Sequence, residues 1–588
     1  MTSTPPLPPA QTRYNRFLLL VAGLGGLLYG VDVGIIAGAL PYLEATSGLN
    51  AGQLSFIVAA VLLGSVISTL FAGLLADLMG RKLLMAVSGV LFVVSIPVIA
   101  LSHGYGPLVL GRLLQGVSAG FIGVVVPLYL AECLDASSRG KGTGIFQWLL
   151  TLGIMAAAFI GLYFSHSVSE VAKLGDAAKL LAFKDHAWRS IFWVSLPPGI
   201  LFVVGSFMVS ESPRWLFRKS RAEAARAALL RSRSEEQAAV EMKEMEATIT
   251  AEKAKSAAGG ETRRESLWHR KYVIPFVLAC VILACNQTTG INSIIGYNPT
   301  ILLQAGLSDE WAHGGYVILT MVNFLTTMAG VALVDRKGRK FLLSLGTGGI
   351  IASLLCAGFV FRNTESQRVD CQKAVQEMVT TNQNLSLTFD GATAARLLRA
   401  GTKDPMTLVI IYSYGDFHAA TPAIRSDDPA AKPIEIKRGD CVPDTKVAAF
   451  FSNPFASLDA AQAAPLHIDN ALITPVPSSG NGWLVAICLF VFMAFFAVGP
   501  GVCVWLALSE LMPTRIRSNG MSIALLINQA VSTTIAAVFL PTVGKYGYST
   551  MFFLFAACTV VYFITAAFFL PETKGKTLEE IEAHFEGS

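Results

Sequence analysis

A carboxylate and a guanidinium lie inside long apolar runs of this sequence. Asp32 falls within the first run, and Arg112 stands at the start of the fourth. A carboxylate at such depth costs roughly 2.5–3.5 kcal/mol on membrane-insertion scales, so Asp32 should face a cavity or a partner, and Arg112 is the best partner by depth. Burial favours the protonated acid and a guanidinium favours the charged form. The pair could therefore exchange a proton as it moves, although a permanent ion pair between two helices is the alternative.

Uncharged carboxamides form a second group in the apolar runs. Asn286, Gln287 and Asn292 fall within seven residues around Gly290, and Tyr297 follows. They do not share one helical face, which favours a broken helix beside a cavity. The other candidates are Gln147, Asn323, Trp505, Asn528 and Gln529. Amides donate and accept, which suits the hydroxyls of a neutral polyol, whereas simple interhelical bonding, about 0.6 kcal/mol on average, is the alternative for any single amide.

A third group is charged and repeats along the chain. The pattern Asp-x-x-Gly-Arg-Lys occurs at 77–82 and again at 335–340. A second pattern pairs a Glu with an Arg seven residues later. The acids and arginines concerned are Asp77, Arg81, Glu132, Arg139, Asp335, Arg339, Glu510 and Arg517. They could close one face of the protein as a gate, whereas helix-end capping and topology-fixing charge would explain the basic residues but not the repeated acids.

The elements that position these residues are apolar runs long enough to cross a bilayer. Charged residues make up 14% of the chain and the mean hydropathy is +0.55, against roughly 25% charged residues in a soluble domain. Runs of about 20 apolar residues match the hydrocarbon core. The predicted spans are 17–39, 54–76, 83–101, 108–131, 142–164, 189–210, 272–302, 313–334, 341–361, 483–509, 518–543 and 549–570. We therefore predict an all-α membrane protein with twelve transmembrane helices.

The repeated charges divide the chain into two halves. The Asp-x-x-Gly-Arg-Lys copies are offset by 258 residues and the Glu/Arg pairs by 378, so about 120 residues were added to the second half. Parallel six-helix repeats of this kind place a substrate site between them near mid-membrane. The predicted parts are an N-terminal tail (1–16), a first bundle (17–210), a linker with short helices (211–271), a second bundle (272–361 and 483–570), an insert (362–482) and a C-terminal tail (571–588).

The positions of basic residues predict the orientation. The connections at 81–82, 139–141, 336–340 and 515–517 are basic, and those at 41–53, 102–107 and 307–315 lack Lys and Arg. By the positive-inside rule both termini are cytoplasmic and the insert is extracytoplasmic. The insert is either a small folded unit or a partly disordered flap. Its Cys371 and Cys441 could form a disulfide in an oxidising compartment, or remain free thiols.

The motifs together resemble the sugar porter family of the major facilitator superfamily. The matching stretches include 73–82, 111–116, 127–132 with 139–140, 211–216, 287–292, 499–501 and 571–577. The resemblance implies that Gln147, Gln287, Asn292, Asn323, Trp505 and Asn528 contact a hexose and that Asp32 with Arg112 couples protons. It also brings Glu211 and Arg214 into the predicted gate. Departures at Asn286, Gly296, Gln529 and Val31 concern the identity of the sugar.

We therefore expect a secondary transporter that imports a monosaccharide with a proton by alternating access. The alternatives are a facilitative sugar or inositol uniporter and, from another class, a sugar sensor, although only about 17 residues follow the last span. We expect no enzymatic activity, cofactor, metal site or nucleic-acid partner, since no nucleophile–base set lies in the spans. The protein should work as a monomer in a cell membrane, most simply a bacterial inner membrane.

Overall fold

The fold is described from a computed structural model of the chain. It covers residues 9–134, 139–257, 270–399, 404–428, 432–446, 449, 453, 456–512, 517–573 and 585. The helices are α1 (Pro9–Ser47), α2 (Ala51–Met79), α3 (Arg81–Ala100), α4 (Tyr105–Cys133), α5 (Arg139–Ala172), α6 (Ala177–Trp193), α7 (Leu196–Met208), α8 (Pro213–Arg218), α9 (Ala222–Leu230), α10 (Glu235–Ala257), α11 (Arg270–Thr288), α12 (Ile291–Gly296), α13 (Asn298–Gln304), α14 (Asp309–Lys337), α15 (Arg339–Glu365), α16 (Gln372–Gln376), α17 (Gly391–Leu398), α18 (Leu458–Ala463), α19 (Ser479–Val498), α20 (Pro500–Leu511), α21 (Arg517–Tyr546) and α22 (Tyr548–Ile564).

Twelve helical stretches of the described residues are long and apolar enough to cross a membrane, which confirms the predicted fold class. Several stretches join two helices, such as α6 with α7 and α11 with α12. Large apolar side chains remain exposed around the bundle, among them Leu74, Phe207 and Phe569. A soluble protein would bury such side chains, whereas lipid accepts them. The chain is a multi-pass membrane protein.

Two halves make up the bundle. The N half contains α1 to α7, and the C half contains α11 to α15 with α19 to α22. Within the N half, α1 lies against α5 and α2 against α4. Gly30 allows the first contact, because a Cβ there would collide with the carbonyl oxygen of Leu150. Small residues are a common means of bringing membrane helices together without a large apolar side chain between them.

The two ends of the bundle differ. We call the end with Ser47 and Gly306 the insert end, and the end with Gly80 and Gly338 the tail end. Gly80 (φ +96°) and Gly338 (φ +89°) occupy corresponding turns of the two halves, between α2 and α3 and between α14 and α15. Both turns need a positive φ, which glycine adopts at little cost. Helices α8 to α10 follow α7 at the tail end, where Arg218 contacts Glu132.

The insert folds into a unit with its own core. It spans 366–478, slightly less than predicted, because α15 extends to Glu365 and α19 begins at Ser479. Its strands are β1 (Val369–Asp370), β2 (Leu385–Leu387), β3 (Met406–Tyr414), β4 (Phe417–Ala420), β5 (Ile424–Arg425), β6 (Ile434–Ile436) and β7 (Leu466–Pro475). One antiparallel sheet has the order β1-β7-β3-β4 with β5 also paired to β3, and β2 pairs with β6 in a second.

The core of the insert explains why a 113-residue connection stays compact. Leu408, Ile410 and Ile468 on the paired strands are buried against Leu397 of α17. A connection of this length without secondary structure would be unusual. Cys371 and Cys441 are both free thiols. They contact different carbonyls, Leu397 O at 3.3 Å and Phe417 O at 3.1 Å, so the structure does not contain the predicted disulfide.

Candidate functional site

Asp32 and Arg112 meet between α1 and α4. Arg112 Nη1 lies 3.9 Å from Asp32 Oδ1, and each residue is 1% exposed. The guanidinium is also held by Gln115, whose Oε1 accepts from Nη1 at 2.5 Å, and it lies over the ring of Phe192. Neither oxygen of Asp32 accepts a hydrogen bond from a described atom. The Asp32 carboxyl is therefore buried beside the Arg112 guanidinium, which also binds Gln115 and packs on Phe192. Among the described atoms, no hydrogen-bond donor stabilises the charged form of Asp32.

Three of the predicted amides form one cluster. Gln287 Nε2 donates to Asn528 Oδ1 at 2.7 Å, and Asn292 Nδ2 lies 3.0 Å from Gln287 Oε1. Asn292 Nδ2 also lies 2.7 Å from Ser532 Oγ, a residue absent from our predictions. We call Gln287, Asn292, Asn528 and Ser532 the amide cluster. It links the broken segment α11–α12 to α21 with uncharged donors and acceptors.

A helix break at Gly290 makes this cluster possible. Gly290 has φ +83° and separates α11 from α12, as the spread of amides predicted. In a continuous helix, residues five apart do not face each other. The break therefore turns Asn292 back toward Gln287. A Cβ at Gly290 would meet the ring of Phe555 at 2.4 Å, so the position requires glycine for its space as well as for its conformation.

The remaining predicted binding residues are dispersed. Gln529 Nε2 donates to Ser65 Oγ at 3.3 Å and so connects the two halves. Asn286 is buried, and its Oδ1 accepts no hydrogen bond from a described atom. Gln147 is exposed. Asn323 Oδ1 accepts from Thr327 Oγ1 at 3.5 Å. The side chain of Trp505 lies outside the described residues.

Tyr297 has a different place from the one we predicted. Its hydroxyl donates to Ala536 O at 3.0 Å and lies 3.3 Å from Ser55 Oγ, and its ring stacks on Phe539. Ser55 Oγ also accepts from the backbone N–H of Leu540 at 3.0 Å. These bonds join α2 of the N half to the C half. Tyr297 therefore helps to close the insert end, because a second break between α12 and α13 directs it there.

A second set of contacts at the insert end was not predicted. Asp309 Oδ2 accepts from Tyr42 at 2.7 Å and from Ser165 at 2.6 Å, both in the N half. The ring of His313 stacks on Tyr42, and its Nε2 lies 3.2 Å from Gly38 O. We call Tyr42, Ser165, Asp309 and His313 the insert-end gate. The only sequence signal was the i, i+4 spacing of Asp309 and His313.

At the tail end, the predicted gate charges pair within the N half. Arg81 Nη1 lies 2.9 Å from Asp77 Oδ1, and Arg81 Nη2 donates to Glu132 Oε1 at 2.9 Å. Glu211 accepts from the backbone N–H groups of Arg81 and Lys82, at 2.9 and 3.1 Å. Burial raises the pKa of the Glu211 carboxyl above its ordinary value, and these N–H donors oppose that rise.

Two details differ from the predicted gate. Arg218, rather than the exposed Arg214, contacts Glu132 at 3.3 Å. In the C half, Glu572 accepts from the backbone N–H groups of Arg339 and Lys340 at 3.1 and 3.2 Å, as Glu211 does in the N half. Glu572 was not among the predicted gate residues, although it follows a proline after the last span. The side chains of Arg139, Asp335, Glu510 and Arg517 lie outside the described residues.

The described residues contain no group of three or more His, Cys, Asp or Glu side chains that could hold a metal ion. Two buried polar groups of the helical bundle are the Asp32–Arg112 pair and the amide cluster. An arrangement of two six-helix halves around such groups is that of a secondary transporter.

Comparison with protein families gives the same class. The chain matches the family model described as "Sugar (and other) transporter" over residues 18–383 and 463–585. The chain therefore belongs to the sugar transporter family of the major facilitator superfamily. Most of the insert lies outside the matched residues.

Relatives and solved structures agree with this placement. The chain is 26% identical to the glucose transporter GlcP of Staphylococcus epidermidis, over 97% of both chains. It is also 26% identical to the human proton myo-inositol cotransporter, over 98% of this chain and 83% of the relative. The inward-open structure of the xylose transporter XylE from E. coli superposes with a TM-score of 0.63 at 20% identity, over 96% and 98% of the two chains.

Proposed function

We propose that this protein imports a monosaccharide together with a proton by alternating access. The observation that carries the proposal is the buried Asp32 carboxylate, 3.9 Å from Arg112 and without a hydrogen-bond donor among the described atoms. A small movement of α1 against α4 would change the balance between burial and the guanidinium charge, and with it the proton affinity. Such a group can take up a proton in one conformation and release it in another.

The amide cluster supports a neutral polyhydroxyl substrate. Gln287, Asn292 and Asn528 provide both donors and acceptors, and sugar hydroxyls need both. A charged substrate would require a fixed opposite charge in the cavity. The names of the relatives include a glucose transporter and inositol transporters. The proposed substrate is therefore a hexose or a cyclic polyol of similar size.

The contacts between the halves support alternating access. If both termini are cytoplasmic, as the basic connections favour, the insert end faces outward. Tyr42 and Asp309 then close the outer side, while the tail-end contacts of Arg81 and of Glu572 each stay within one half. The described conformation would correspond to the state that is closed toward the outside. The protein would work as a monomer, because each chain contains both halves.

Replacement of Asp32 by Asn tests the coupling. One proton crossing about 100 mV supplies roughly 2.3 kcal/mol, enough for about fiftyfold accumulation. Proteoliposomes that contain Asp32→Asn should exchange labelled sugar between two pools but should not concentrate it. Glu170→Gln is the control, because it neutralises an acid on the surface of α5 and should leave accumulation intact. If Asp32→Asn still concentrates sugar, the coupling role is wrong.

A facilitative uniporter is the second candidate. Its support is a mouse relative named as a facilitated glucose transporter, 24% identical over 96% of this chain. The two candidates differ in their response to an uncoupler. Uptake by a proton symporter acidifies the vesicle lumen and collapses to the equilibrium level when the uncoupler is added, whereas uptake by a uniporter does neither.

A further inference from the structure

The insert belongs to the C half by its connections and by its packing. It leaves α15 and returns into α19, both in that half. Pro477 lies so close to Gly306 that a Cβ on this glycine would collide with the proline carbonyl. On β4, Ala420 lies beside α21, where a Cβ on Gly544 would be 3.2 Å from its side chain, and β4 also contacts α2 of the N half. The insert should therefore move with the C half as one body.

The insert also reaches across to the N half through three polar contacts. Lys184 of α6 pairs with Asp428 at 3.2 Å. Lys432 donates to the carbonyl of Thr46 near the end of α1, and Asn50 donates to the carbonyl of Asp440. Lys184 and Asp428 are 13% and 31% exposed, so the pair is better shielded than a surface ion pair.

The interface between the insert and the N half has the features of an interface at which the two parts come apart. It combines these three polar contacts with a contact between β4 and α2, and a cavity of about 420 Å³ remains between the insert and the helices beneath it. Its lining includes Tyr42 and Asp309 of the insert-end gate as well as Lys184 and Asp428. Polar, incompletely packed interfaces within one chain resemble transient protein–protein contacts.

We propose that the insert is a strap that holds the insert end closed. The strap contacts, defined by Lys184–Asp428, Lys432–Thr46 and Asn50–Asp440, join the C half to three elements of the N half over the insert-end gate. The proposal rests on alternating access: when the halves separate at this end, these contacts must break. The strap then biases the transporter toward the state closed at the insert end.

A charge swap at the ion pair tests the strap. Lys184→Asp places two carboxylates together, so the insert end should open more often. Hydrogen exchange of residues 298–312 should become about fivefold faster. Adding Asp428→Lys should restore the exchange rate of the unmodified protein. Lys179→Asp is the matched control, since Lys179 lies on the same helix and pairs at 3.3 Å with Asp176 on the protein surface.

A second variant removes a contact without adding repulsion. Lys432→Met should accelerate the same exchange about twofold, in line with the loss of the hydrogen bond to the Thr46 carbonyl. Exchange of the β3 residues 406–414 should stay slow in every variant, which shows that the insert remains folded. The proposal is overturned if Lys184→Asp behaves like Lys179→Asp, if the double variant does not recover, or if β3 exchange accelerates as much as that of 298–312. Each measurement is made without sugar or a proton gradient, so a failure of proton coupling would not affect it.

Discussion

The side chain of Asn292 makes two of the bonds of the amide cluster. Its Nδ2 contacts Gln287 Oε1 and Ser532 Oγ, so it positions the amide that would face the sugar. Asn292→Ala removes both bonds, each worth about 1 kcal/mol. We expect the KM for sugar uptake to rise by up to about thirtyfold. Asn363→Ala, at an exposed position near the end of α15, should leave the KM unchanged, and an unchanged KM in Asn292→Ala would contradict a binding role.

Glu211 predicts a pH dependence of stability. Burial raises its pKa above the ordinary 4.5, so the folded protein holds this proton more tightly than the unfolded chain does. The stability that this difference provides is present at low pH and is lost as the pH rises from the ordinary value through the raised one. Thermal unfolding in detergent should show this decline as the pH rises above the ordinary value of 4.5, and Glu211→Gln should flatten it. Equal slopes for both proteins would exclude the effect.

The sequence indicated most of the polar residues but few of their partners. Asp32 with Arg112 could be paired because charge at membrane depth needs compensation. The contact between Tyr42 and Asp309 could not be predicted, because the residues are 267 positions apart and neither stands out in its own segment. Glu572 was not recognised as the counterpart of Glu211 in the C half, although it lies in the matching stretch 571–577 and each of the two acids accepts from two backbone N–H groups.

At the scale of elements, the break at Gly290 decides how the amide cluster forms. Gly290→Ala places a Cβ against Phe555 and forces a φ of +83° on a residue that disfavours it. We expect a loss of about 1–3 kcal/mol in stability and of most sugar uptake, because Asn292 turns away from Gln287. Gly296→Ala is a matched control on α12, where the new Cβ would lie at an ordinary 3.6 Å from Val58. Uptake and unfolding temperature of both variants provide the measurement.

The break itself was predictable, since three amides on different faces do not suit a continuous lipid-exposed helix. The second part of the break, at Tyr297, was not predictable. A further interruption at Tyr297 separates α12 from α13. Gly296 and Pro299 lie on either side of it in the sequence, but they do not reveal where the Tyr297 side chain points. Tyr297 therefore points toward Ser55 and the carbonyl of Ala536 instead of toward the amides. The local sequence pattern predicted that the helix is broken, whereas packing against α2 and α21 determines where the segment after the break points.

For the whole molecule, the insert-end gate should set the balance between the two conformations. Tyr42→Phe removes one of the two hydroxyl donors to Asp309, a bond to a charged acceptor worth about 1.5–3 kcal/mol. The outward-open fraction should rise, and the KM for external sugar should fall by up to about tenfold. Tyr163→Phe, at an exposed position of α5, should not change it. A higher KM in Tyr42→Phe would contradict the role of this tyrosine as a gate.

The two halves could be inferred from the repeated Asp-x-x-Gly-Arg-Lys sequence, and its offset located the insert. The fold of the insert could not be inferred, because its short strands pair across long separations, such as β1 with β7. Its contacts with Lys184 and Thr46 depend on how the halves meet at this end. Contacts between distant segments could therefore not be predicted from the sequence, whereas the number of membrane spans could.

The paired roles of Glu211 and Glu572 have a consequence for synthesis of the chain. Each carboxylate caps the turn of its half from a position just after the last membrane helix of that half. The N half can therefore complete its tail end while the ribosome is still translating the rest. The C half receives its cap only when residue 572 emerges. During that interval a finished first bundle must wait in the membrane beside an uncapped second one, so truncation shortly before residue 572 should harm the second bundle alone.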